Sequence, residues 1–195
     1  MGAIFQSLGR TLLAGLVILI AIILITGGPG ASGGNHAWWA FVMRWLHVMS
    51  GVMWIGLLWY FNFVQIPSMP KIPDEQKPAI GKVIAPAALF WFRWAAVATL
   101  VTGLIVASMN KYLGAALSFG QGYVAIGIGM WLGIIMAFNV WAIIWPNQKK
   151  ALGIVQVEAD VKAKAARVAM LGSRANTMLS IPMLFCMVAQ QNGGL

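Results

Sequence analysis

The chain has 195 residues, 61% hydrophobic and only 9% charged, with a formal net charge of +9 and a single cysteine. A soluble globular domain sits nearer half apolar and a quarter charged, so this composition indicates an integral membrane protein with one membrane domain, residues 1–195. Nucleic acid is not indicated, because the basic residues fall between apolar segments, and one cysteine excludes both an internal disulfide and a CxxCH haem-attachment motif.

Five apolar runs reach the roughly 20 residues that a membrane crossing requires. They cover residues 8–26, 37–64, 85–108, 123–145 and 170–189. The first begins near Arg10 and ends in small residues, as a signal peptide does, but it is expected to be retained as a span. The opening Met-Gly is no myristoylation site, since Gln6 stands where Ser or Thr is wanted. Residues 27–35 form a glycine-rich, uncharged linker. The second run holds Arg44 and His47. The loop after it carries Pro67, Pro70 and Pro73 and then Lys77 and Lys82. Pro86 suits the first turn of the third helix, where a missing amide proton costs little. Pro146 is expected to stop the fourth helix and Pro182 to kink the fifth. Trp38, Trp39 and Trp145 fall near predicted interfaces, where amphipathic rings belong.

Between the fourth and fifth runs, Ile154, Val157, Val161, Ala165 and Val168 recur at helical spacing. Glu158–Lys162 and Asp160–Lys164 are i,i+4 pairs. This predicts a helix over 151–168 that either lies on the cytoplasmic membrane surface, links as a solvated helix, or docks a partner subunit. The fold class expected is all-α: a membrane helix bundle of about five transmembrane helices plus this amphipathic one. No internal repeat is present.

Basic residues set the orientation. Arg10, Lys71, Lys77, Lys82, Lys149, Lys150, Lys162, Lys164, Arg167 and Arg174 fall on one side of five spans, against Lys111 on the other. The positive-inside rule then places the N-terminus in the cytoplasm and the C-terminus in the periplasm of a bacterial inner membrane.

Helical rise puts Arg44 roughly 10 Å and His47 roughly 15 Å below the outer edge, and Arg93 roughly 12 Å from the inner one. All three share the central third of a hydrocarbon core of about 30 Å. The four acids, Asp74, Glu75, Glu158 and Asp160, lie in loops. The arginines therefore either snorkel to the surface or meet an anion, which haem propionates, an anionic substrate or a carboxylate of another subunit would supply.

His47 is the one histidine in the interior of an apolar run, and imidazole is a common axial ligand of haem iron. Arg44 precedes it by three residues and Gly51 follows by four, so the three share a helix face. Gly51 leaves room for a flat macrocycle, Arg44 can meet its carboxylates, and Trp54 can pack on its edge. The alternative is a histidine hydrogen-bonded between helices, with Gly51 serving close packing. His36 lies roughly 16 Å away along the helix and cannot complete the same site. A sixth ligand would come from a methionine such as Met130 or Met136, from another side chain, or from a second chain, although methionines at this spacing are usually core. Asn139, Ser173, Arg174, Asn176, Thr177 and Ser180 either hydrogen-bond between helices or line a proton or quinone pocket. No nucleophile–base pair, phosphate loop, Cys/His cluster or pair of membrane carboxylates is present, and no catalytic residue is singled out.

The stretches RWLHVMSGVMWIGLLWYFNFVQIP from Arg44, LFWFRWAA from Leu89, NVWAIIWPNQKK from Asn139 and SRANTMLSIPMLFCMVA from Ser173 occur in order. Together they resemble the membrane domain of the bacterial membrane-bound, cytochrome c-linked urate oxidases (urate hydroxylases). The resemblance implies a multi-helix membrane fold, a redox role and urate oxidation as the family activity. It also implies haem b on His47, with Arg44 and Arg93 in support. Family members continue into a cytochrome c domain, and these 195 residues contain no CxxCH.

The expectation is a haem b protein that passes electrons to a separate acceptor, a cytochrome c or a quinone. Its site is His47 as metal ligand with Arg44, Arg93, Gly51 and Trp54 around the cofactor. The alternative is a non-catalytic subunit of a larger respiratory or oxidase complex, and a transporter comes third. Expected partners are the lipid bilayer and other membrane subunits or further copies of the chain.

Overall fold

The computed structural model describes residues 2–28 and 34–193, so most of the linker expected over 27–35 lies outside the described residues. All regular structure among the described residues is helical. After a short turn of helix at Gly2–Phe5 come α1 (Leu8–Ile25), α2 (His36–Lys71), α3 (Lys77–Met109), α4 (Leu113–Leu117), α5 (Val124–Ala151) and α6 (Ala159–Asn192). The chain divides into two compact units, Met1–Val42 and Met43–Leu195, the division falling within α2. In the first unit, none of the residues of α1 is buried. Asn35 opens α2 as its N-cap, its side-chain oxygen accepting from the Trp38 amide at 3.0 Å.

α1, α2, α3 and α5 are long and apolar enough to cross a membrane. The fifth expected span also forms a helix, but its apolarity is diluted by Ser173, Arg174, Asn176, Thr177 and Ser180. It is not preceded by a separate surface helix. Residues 159–168 are the first turns of α6 itself, because the alanine-rich run through Ala169 contains no breaker. Asp160 and Lys164 pair across one of these turns at 3.3 Å.

Three helices also run further than the apolar pattern indicates. α2 continues through Pro67 and Pro70, α3 begins well before Pro86, and α5 passes through Pro146. Pro67, Pro86 and Pro146 each follow a π-helical turn, Tyr60–Gln65, Ile80–Ile84 and Val140–Ile144, while Pro70 lies in a 3-10 turn at Met69–Lys71. A proline lacks the amide that would bond the carbonyl four residues back, and its ring crowds that carbonyl. Those carbonyls belong to Phe63, Lys82 and Ala142, each inside a wider turn that gives the ring room. What ends α5 is Gly153, at φ +75°. The Ile154 amide bonds the Lys149 carbonyl at 2.9 Å and the Gly153 amide that of Lys150 at 3.1 Å, a left-handed helix cap.

In the second unit, Trp54, Leu58, Phe61, Phe92, Met136 and Ile144 pack together from α2, α3 and α5. Lipid would be as apolar as these side chains, so in a membrane small residues and polar bonds would decide which helices meet. A Cβ on Gly127 would strike the Ala116 carbonyl oxygen, and one on Gly129 would lie 3.2 Å from the Cys186 Cβ. These glycines let α4 and α6 close on α5. The polar residues of α6 then bond across the helices. The Asn139 amide donates to the Gly172 carbonyl at 2.9 Å and the Asn176 side-chain oxygen at 2.7 Å, and the Asn176 amide donates to the Met136 carbonyl at 2.9 Å. From α2, the Asn62 amide reaches Ser173 at 2.7 Å and the Trp59 indole N–H reaches Ser180 at 3.0 Å.

Candidate functional site

His47 lies on α2, and its Nδ1 is 2.9 Å from the Thr99 backbone carbonyl of α3. A carbonyl oxygen can only accept, so Nδ1 carries the proton and Nε2 keeps its lone pair. The Thr102 hydroxyl, 3.3 Å from the same nitrogen, itself donates to the Ala98 carbonyl at 2.6 Å. The imidazole lies close against Gly103, where a Cβ would fall 2.8 Å from Cε1 and 3.1 Å from Nδ1. The ring is thus fixed in both tautomer and position. That is the arrangement by which metal-bound histidines are oriented, the second nitrogen being held by a backbone carbonyl.

His47 lines a cavity of about 570 Å³, within the range of small-molecule and cofactor sites. Arg44, Gly51, Trp54 and Trp59 line it from α2, so it follows that helix for roughly 22 Å. Thr99 and Gly103 face it from α3, Met130 and Gly133 from α5, and Met183 and Met187 from α6. Glycines keep its walls open. A Cβ on Gly51 would meet only the Thr99 Cγ2 at 4.0 Å, and one on Gly56 or Gly133 would meet nothing within 4 Å. Gly51 therefore does not serve close helix packing; Gly103 is the glycine under steric pressure. Trp54 is almost wholly buried, and its indole N–H has no acceptor among the described residues.

One end of the cavity is polar. Tyr112, in the turn after α3, stacks on Tyr123 at 5.6 Å between centroids. Burial pushes the Tyr112 hydroxyl above its ordinary pKa, and the positive charge of Arg44 pulls the other way. Arg44 and Tyr112 both line the cavity, as does Asn192, so a cation, a phenol and an amide stand in a largely apolar lining.

Of the residues expected at the site, the structure gathers Arg44, His47, Gly51 and Trp54 around one chamber. Arg93 is not among its lining residues. It is buried elsewhere in α3, its guanidinium carbon 3.4 Å above the Trp145 ring centroid. Met130 lines the chamber and Met136 does not; the latter is part of the packed core. The sequence reading missed Thr99, Thr102 and Gly103. Their signal was two hydroxyls and a glycine on one face of an apolar helix, without anything to say that they meet His47. The buried polar residues of α6 bond to neighbouring helices, as one of their two readings had it.

The described residues thus form a helical bundle with a half-open, largely apolar cavity lined by one imidazole and one cation. Residues 117–193, from the end of α4 through α6, match the family model described as urate oxidase N-terminal. His47 lies outside the matched segment. No curated protein and no solved structure shows significant similarity to the chain.

Proposed function

We propose that this protein is a membrane-embedded haem b redox protein, akin to the membrane part of the cytochrome c-linked urate oxidases, that passes electrons to a separate acceptor. The observation that carries the reading is the His47 Nδ1–H bond to the Thr99 carbonyl, which leaves Nε2 of the neutral ring with its lone pair on a residue that lines a largely apolar cavity. The residues present fit the group. His47 supplies an axial nitrogen, the glycine-lined walls admit a flat macrocycle, and Arg44 supplies a cation for carboxylates at the polar end. When bound, haem provides one-electron redox chemistry. The chain's own work is to hold the imidazole tautomer, exclude water with apolar walls, and leave Tyr112 as a neutral phenol beside Arg44. The acceptor, a c-type cytochrome or a quinone, is expected to meet the Arg44 end, which the positive-inside rule puts on the periplasmic side of an inner membrane.

A reduced-minus-oxidised absorption spectrum of the purified protein, repeated on His47→Ala, tests this. The expected result is a b-type signal in the wild type, lost in the variant. An unchanged spectrum in His47→Ala removes His47 as ligand. Co-purification with other subunits and no chromophore would favour the accessory-subunit reading instead.

A further inference from the structure

The turn between α5 and α6 concentrates positive charge. Residues 149–167 carry Lys149, Lys150, Lys162, Lys164 and Arg167 against Glu158 and Asp160. Asp160 is already paired with Lys164 at 3.3 Å. The turn itself is held by hydrogen bonds. The amides of Ile154 and Val155 both donate to the Lys149 carbonyl, at 2.9 and 3.1 Å, and the Gln156 side-chain amide donates to the Gly153 carbonyl at 3.1 Å. Lys162 folds back from the start of α6 onto this turn, where a Cβ on Gly153 would lie 4.0 Å from its ammonium. Lys149 lies along α5 with its ammonium 5.7 Å from the Trp145 ring centroid. Next to Gly153, Ile154 and Val155 are apolar and exposed, at 55% and 40%.

The complement of such a surface is both anionic and apolar. A free phosphate or a nucleic-acid backbone satisfies the ammonium groups and gains nothing from Ile154 and Val155. A phospholipid presents a phosphate and an acyl boundary side by side, and answers both. Helix length puts the turn at the right level. α5 has 28 residues and is roughly 42 Å long. A hydrocarbon core is about 30 Å thick, and about 40–45 Å with its headgroup layers. An α5 that crosses a bilayer therefore carries Lys149 and Lys150 among the headgroups, where basic clusters at helix ends hold acidic lipids.

We propose that Lys149, Lys150 and Lys162, set around the Gly153 turn with Ile154 and Val155, hold the headgroup of an anionic phospholipid. The proposal rests on the membrane half of the reading above and not on haem or His47.

The test is native mass spectrometry of the full chain released from nanodiscs of equal phosphatidylcholine and phosphatidylglycerol with matched acyl chains, read as the ratio of the two lipids bound. Phosphatidylglycerol is expected to be retained in preference. Lys149→Gln and Lys162→Gln should each lower the ratio about fivefold, and together about tenfold or more, as expected for cations at headgroup level. Should Lys149→Gln not accumulate, Lys162→Gln carries the test, since Lys162 is exposed. Ile154→Ser with Val155→Ser should reduce phosphatidylglycerol retention with every charge in place. Lys71→Gln with Lys82→Gln removes two exposed lysines elsewhere and should leave the ratio unchanged. No preference in the wild type overturns the proposal, as does a wild-type ratio in Lys162→Gln. An equal loss in the Lys71 and Lys82 pair overturns it in favour of net charge alone. Displacement of the lipid by excess inorganic phosphate overturns it in favour of a soluble anion. His47→Ala should leave the ratio unchanged, so a missing haem spectrum with intact lipid retention sinks only the earlier reading.

Discussion

One backbone oxygen decides what His47 can do. Because the Thr99 carbonyl accepts from Nδ1–H, the neutral ring presents a lone pair at Nε2 rather than a second donor. Gly103 makes this possible by offering the ring a surface without a side chain. Gly103→Ala would place a methyl 2.8 Å from Cε1, and since both helices are packed, the imidazole has to move. The expected outcome is loss of most of the haem per polypeptide in purified Gly103→Ala, with Gly51→Ala retaining far more, read as the ratio of haem to protein absorbance. Equal retention in both would show that the ring is not held here. The Arg44–His47–Gly51–Trp54 face was legible in the sequence because one helix sets its spacing. The partner carbonyl, 52 residues away, was not, since nothing local specifies which helix α2 meets. Arg93 misled for the same reason: depth alone put it beside His47, while its neighbour is Trp145.

α1, α5 and α6 end where Gly27, Gly153 and Gly193 take a left-handed turn, whereas Pro67, Pro86, Pro146 and Pro182 lie within helices. Three prolines sit two residues beyond π-helical turns that absorb them, so α2, α3 and α5 reach past the boundaries that hydropathy draws. Hydropathy reports lipid contact, whereas the backbone ladder continues into water until a cap stops it. α1 is the helix whose extent the apolar run matched, because it has no buried residue and no proline to complicate it. Where elements meet, close approach is the specific term. Gly127→Ala drives a methyl into the Ala116 carbonyl, a backbone atom that cannot step aside, while a methyl on Gly114 meets nothing within 4 Å. Gly127→Ala is expected to destabilise the α4–α5 contact by about 1–3 kcal/mol. Gly114→Ala should be neutral or stabilise by up to about 1 kcal/mol. Reversible unfolding in mixed detergent micelles measures both, and similar values would show that this contact does not matter.

For the whole molecule, composition and the apolar runs indicated an all-helical chain rich in membrane-length segments, and the described residues contain four such helices, α6 packing on α5 within the second unit. The arrangement of charge predicts how it sits in a membrane. Lys71 and Lys111 are both exposed, Lys71 ending α2 just before α3 begins and Lys111 following the other end of α3. Lys111→Cys is expected to react with an impermeant maleimide on intact spheroplasts, and Lys71→Cys only after the membrane is opened; the reverse pattern inverts the orientation. The native Cys186 is buried and should stay silent. The row of asparagine and serine on α6 bears on how such a chain is made. A segment bearing Ser173, Arg174 and Asn176 gains little by leaving a protein-conducting channel for lipid alone. Asn139 and the Met136 carbonyl on α5 supply what it lacks. In a membrane, α5 and α6 are therefore expected to enter together as a hairpin, the second completing its polar bonds on the first.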